Sequence, residues 1–168
     1  MTDTTVWIVG VGMTTFGVRS DASIKDLTRE AVNSALADAG AELRDVQAAY
    51  FGNTCQDILE GQVVVPGQMA LRSMGFERIP MVNVENACAT GATALHQAAM
   101  HVRSGAADVA LAVGVEKLNV GDNRKSLAVF DGGVDVHDRE GVRALLTQLG
   151  GQPPASTDTH SLFMDYYA

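Results

Sequence analysis

With 168 residues, 46 % of them hydrophobic and 19 % charged, the chain is long enough for one ordinary domain with a core and is neither disordered nor fibrous in composition. Twelve basic against twenty acidic residues leave a formal charge of −8, which argues against a nucleic-acid surface, because such a surface clusters Lys and Arg. Two cysteines, Cys55 and Cys88, supply neither a disulfide framework nor a zinc spacing and fit a reducing compartment. The apolar stretch 6–11 is too short for a membrane span and follows Met1-Thr2-Asp3-Thr4-Thr5 in place of a basic leader, so a soluble, cytoplasmic chain is expected.

In chain order, Val6-Trp7-Ile8-Val9-Gly10-Val11-Gly12 is a continuous β-branched run ended by glycine and predicts a buried first strand. Gly10, Gly12 and Gly17 superficially evoke a dinucleotide loop, but the third glycine spacing is absent and no helix opens on Gly12, so a turn is expected. Ser23 offers an N-cap with Asp26 three positions on, and Ile24, Leu27, Ala31, Val32, Ala35, Leu36 and Ala39 mark a helical face that Gly40 closes. Residues 46–51 predict a second strand and 62–74 a second helix, with Pro66 tolerated near its first turn and Gly75 ending it. A third strand is predicted at 81–84, an Ala-rich helix running to Ser104-Gly105, and a fourth strand at 109–115.

Strands that are apolar without interruption, alternating with helices, imply an α/β fold: a layered, mostly parallel sheet with helices on both faces. Beyond Lys117 the texture changes, since Gly121, Gly132, Gly133, Gly141, Gly150, Gly151, Pro153 and Pro154 interrupt the chain and only 139–149 predicts a short helix. The expected division is a core at 1–118 and a loop-rich subdomain at 119–168. The aromatic run His160-Ser161-Leu162-Phe163-Met164-Asp165-Tyr166-Tyr167-Ala168 stops without a terminating signal, so a truncated chain is expected.

The chemistry concentrates in Val82-Asn83-Val84-Glu85-Asn86-Ala87-Cys88-Ala89-Thr90-Gly91, where a short strand breaks into a cysteine among small residues just before a helix. Unpaired backbone N–H groups and the positive end of the helix dipole gather at such a point and favour a thiolate over a thiol. Ala87, Ala89 and Gly91 leave room for a substrate carbonyl to approach the backbone, where an amide can steady an oxyanion. The competing reading is a buried thiol packed beside a tight turn.

Taken together, Gly10-Val11-Gly12-Met13-Thr14-Thr15-Phe16-Gly17, Phe51-Gly52-Asn53, the Cys88 segment and Gly114-Val115-Glu116-Lys117 resemble the thiolase superfamily over about residues 6–119, in particular thiolases of the sterol-carrier and lipid-transfer type. The resemblance implies a thiolase-like fold of which this chain holds an incomplete N-terminal half and the start of a loop subdomain. It implies Cys88 as the acyl-accepting nucleophile in cleavage of a 3-oxoacyl-CoA by CoA, or in the reverse Claisen condensation. Coenzyme A is then a co-substrate, with no covalently bound cofactor and no metal. The expected partners are an acyl-CoA and further copies of the chain, as a homodimer or a tetramer of dimers, with or without a small accessory protein. In similar thiolases an activating histidine, a second cysteine and a glycine-rich oxyanion segment lie in the C-terminal half, and no corresponding motif occurs here, so the chain alone is expected to be inactive. The rivals are a noncatalytic acyl-CoA-binding or scaffolding subunit and a retro-aldolase acting on steroid side-chain CoA esters.

Other residues attract a role more weakly. Cys55 does not match the second cysteine of the family and reads as a packed or half-exposed thiol. His96 falls two helical turns beyond Cys88, about 12 Å along a helix, and is too distant to activate it. His101 near the helix end is accounted for by the dipole, and His137 and His160 have no partner at metal-ligand spacing. Met69, Met74 and Met100 read as core filling, and Phe163, Met164, Tyr166 and Tyr167 either line an acyl channel or begin a core helix.

Overall fold

Ser23 opens helix α1 (Ile24–Ala39) with a capping box: its hydroxyl accepts the Asp26 N–H at 3.2 Å and the Asp26 carboxylate accepts the Ser23 N–H at 3.0 Å. Gly40, at φ 63°, closes the helix in the left-handed conformation. The computed structural model describes residues 5–151 together with Phe163. After α1 come strand β1 (Ala48–Gly52), helices α2 (Gln56–Glu60) and α3 (Pro66–Arg72), strand β2 (Met81–Val84), helix α4 (Thr90–Arg103), strand β3 (Ala110–Gly114) and helices α5 (Asn123–Ala128) and α6 (Arg139–Gln148). Pro66 occupies the first turn of α3, where its missing N–H costs nothing.

The three strands form one parallel sheet in the order β2-β1-β3, with Tyr50 opposite Val82 on one side and Ala112 on the other. Every residue of β1 is buried, as a central strand covered on both faces requires. Alternation along it divides the core. Ala49 and Phe51 meet Ile24 and Val32 of α1 and Ala70 and Leu71 of α3, whereas Ala48 and Tyr50 meet Ala94 and Ala98 of α4. Helices therefore cover both faces of the sheet, as expected.

The first expected strand does not form. Residues 6–12 pair with no strand, and Trp7, Ile8, Val9, Val11 and Met13 are all largely exposed, Trp7 at 77 %. The segment instead lies along α1. A Cβ at Gly10 would stand 2.3 Å from the Ala35 carbonyl oxygen and one at Gly12 2.2 Å from that of Ala31, so these glycines serve close backbone approach to a helix. The Val11 N–H donates to the Asp38 carboxylate of that helix at 2.9 Å.

Smaller differences follow the same logic of context. Helices α2 and α5 were not expected, and the 62–74 helix shortens to α3. Of the three methionines, Met74 packs against the core, but Met69 and Met100 are each 47 % exposed and fill none of it. Phe163 stacks at 5.3 Å on Phe130, while Met164, Tyr166, Tyr167 and His160 lie outside the described residues. Among the described residues no helix is long and apolar enough to cross a membrane, and no group of three side chains could hold a metal ion.

Candidate active site

Because the strands are parallel, their carboxyl ends share one edge of the sheet, the edge where open α/β sheets usually bind ligands. Three segments leave it: Asn53-Thr54-Cys55 from β1, Glu85-Asn86-Ala87-Cys88 from β2 and Val115-Glu116 from β3. Main-chain bonds continue the ladder past the strands, from Asn53 N–H to Val84 O at 3.2 Å and from Val115 N–H to Gly52 O at 3.0 Å. The Asn53 amide crosses to Val115 O at 2.7 Å while its oxygen accepts the Gln56 N–H at 3.0 Å. This asparagine locks the start of α2 to the end of β3.

Cys88 sits in a single turn of 3-10 helix (Ala87–Ala89) that runs directly into α4, and its side chain is exposed. Ala89, the N-cap of α4, supplies no side-chain acceptor, and the turn itself takes up the first main-chain donors, Ala89 N–H to Asn86 O at 2.9 Å and Thr90 N–H to Ala87 O. Ala87, immediately before the thiol, is held at φ 45°, a left-handed conformation costing a residue with a Cβ about 1–2 kcal/mol. Strain of that kind persists only where neighbours enforce it. Here Glu85 accepts the Ala87 N–H at 2.7 Å, the Thr54 hydroxyl reaches the Ala87 carbonyl at 3.4 Å, and the Asn86 N–H donates to the Thr90 hydroxyl at 2.7 Å.

Thr90 and Thr54 join hydroxyl to hydroxyl at 2.9 Å, which ties the first residue of α4 to the loop after β1. The approach needs Gly52, where a Cβ would lie 2.8 Å from the Thr90 methyl. Glu116 caps the arrangement by accepting the Thr54 N–H, the Cys55 N–H at 3.2 Å and the Asn53 amide at 3.3 Å.

Cys55 follows β1 at the same edge of the sheet and is buried, at 6 % exposure. Burial pushes its thiol up to about 12, and the negative charge and hydrogen bond of Glu116 push the same way, followed by Asp57 and Glu85. It is a packed thiol. His96 is exposed on α4, and His137 is exposed in the segment before α6. His101 bonds through Nδ1 to the Tyr50 hydroxyl at 2.8 Å, with the rings edge to face at 5.9 Å, so it holds α4 to β1 in addition to ending the helix. The sequence pattern assigned a role to Cys88 but none to Thr54, Thr90 or Glu116. Which of these segments meet depends on the strand order.

Residues 6–148 match the family model for the thiolase N-terminal domain. The chain belongs to the thiolase family. Sterol carrier protein 2 of Gallus gallus is 41 % identical over 69 % of this chain, and acetyl-CoA acetyltransferase of Methanocaldococcus jannaschii is 40 % identical over 67 %. The matches cover 21 % and 29 % of those relatives, so the chain spans less than a third of the length of either. The structure of 3-oxoacyl-[acyl-carrier-protein] synthase III from Aquifex aeolicus VF5 aligns with a TM-score of 0.44 at 17 % identity, over 51 % of this chain and 27 % of that one. The layered α/β arrangement is a thiolase-like fold.

Proposed function

We propose that Cys88 is the acyl-accepting nucleophile of a thiolase-type acyl transfer between CoA thioesters. The observation that carries this reading is an exposed thiol held by a strained turn at the carboxyl edge of a parallel sheet, against a helix start with no side-chain cap. Family membership and the acetyl-CoA acetyltransferase relatives support the same chemistry.

In the degradative direction the Cys88 thiolate attacks the 3-keto carbon of a 3-oxoacyl-CoA, and the bond between carbons 2 and 3 breaks. The electron pair passes to the leaving thioester as an enolate, which takes up a proton at carbon 2 and departs as acetyl-CoA. The thiol of a second CoA then attacks the acyl-cysteine thioester, carries the acyl group away and returns the sulfur. The reverse sequence joins two acyl units. CoA acts as co-substrate, and a homodimer or a tetramer of dimers is the proposed assembly.

Intact-protein mass measurement after incubation with acetyl-CoA or a longer acyl-CoA tests the reading. One acyl mass is expected on the chain and none on Cys88→Ala, although full turnover is not expected from this chain by itself. Absence of acyl mass, or its persistence in Cys88→Ala, would overturn the assignment and favour a noncatalytic acyl-CoA-binding or scaffolding subunit.

A further inference from the structure

Glu116 lies two residues past β3 on an exposed part of the edge, yet its carboxylate takes three donors from the loop after β1. Bonds from an ionised acceptor are roughly twice as strong as neutral ones, so this carboxylate is the main restraint on Asn53-Thr54-Cys55 from that side. The restraint has a defined path onward. The Asn86 N–H donates to the Thr90 oxygen, leaving the Thr90 proton for Thr54; the Thr54 proton is then directed to the carbonyl of Ala87, the residue at φ 45° beside the thiol. Donors and acceptors along this path are consistent with a single direction.

We propose that Glu116 is a positioning residue for Cys88: its carboxylate fixes Thr54, and Thr54 with Thr90 holds the Ala87 turn that aims the thiol. The inference rests on the reading of Cys88 as the acyl acceptor. It also explains why a carboxylate stands on an exposed edge where water could satisfy the same N–H groups.

Acylation depends on aim, because thiol and carbonyl must meet within a narrow range of angles, whereas a small alkylating agent adapts to a loosened thiol. In the full chain, Glu116→Ala should slow acyl capture from acetyl-CoA about tenfold or more while Cys88 alkylation by iodoacetamide changes by less than about twofold. Glu116→Gln, which retains one acceptor oxygen, should recover part of the rate. Thr54→Val should slow capture as well, and the double variant Thr54→Val/Glu116→Ala should be no slower than the worse single one, since both cut the same path. Unchanged capture in Glu116→Ala with an acylated wild type overturns this inference alone, as does equal slowing with both reagents. A wild type that gains no acyl mass overturns the Cys88 reading and this inference with it.

Discussion

Two thiols occupy one edge of the sheet, and their surroundings assign them opposite behaviour. Cys88 is exposed; Cys55 is buried beside Glu116 and pushed up to about 12 from an ordinary value of 9.0. At mildly alkaline pH, iodoacetamide should therefore mark Cys88 and leave Cys55 intact, as peptide mapping would show. The same shift has a consequence for stability. The folded state retains a proton that the unfolded chain releases, so the contribution is complete below pH 9 and is lost as pH rises toward about 12. Denaturant titrations across that window should show a steeper loss for the wild type than for Cys55→Ala, and equal slopes would contradict the burial argument.

Elements inherit their positions from such contacts, and the start of α4 is the clearest case. Gly52→Ala would place a Cβ 2.8 Å from the Thr90 methyl, and Thr90 cannot swing away without releasing both Asn86 and Thr54. A loss of about 1–3 kcal/mol in denaturant stability is expected. Acyl capture at Cys88 should fall with it, whereas an Ala at Gly91, where nothing lies within 4 Å of the added Cβ, should leave the packing unchanged. Much of this architecture was readable beforehand. The Ser23 cap, the Gly40 stop, Pro66 in a first turn and the strands at β1, β2 and β3 follow from local rules that act within a few residues. The placement of Cys88 just before a helix was readable for the same reason. Thr28 was not: it is fully buried in α1 because its hydroxyl donates to the Ile24 carbonyl at 2.7 Å, which lets a polar residue occupy an apolar face. Thr90 and Glu116 stood within motifs that carry the family resemblance, but their contact with Thr54 was not legible, because the three are distant in sequence and meet only once β1 lies between β2 and β3.

The molecule as a whole departs most from the sequence pattern at residues 6–18. Hydropathy alone makes Val6-Trp7-Ile8-Val9 a core strand, but a strand needs a partner edge as well as apolar side chains, and here the backbone lies along α1 instead. Trp7, Ile8, Val9, Val11, Met13, Phe16 and Val18 are consequently all exposed, and so many exposed apolar side chains in one segment favour association. The two readings differ sharply in energy. Ile8→Ala in a core strand costs about 2–5 kcal/mol, whereas at a surface position the change stays within about 0.5 kcal/mol. Ile8 is 70 % exposed, so the smaller value is expected in denaturant titration, together with weaker concentration-dependent self-association in sedimentation runs. Trp7, the only tryptophan of the chain, reports on the same segment: its emission should resemble that of free tryptophan and be readily quenched by acrylamide. A blue-shifted, protected Trp7 with a large penalty for Ile8→Ala would instead place these residues in a core, as the hydropathy of the segment by itself suggests.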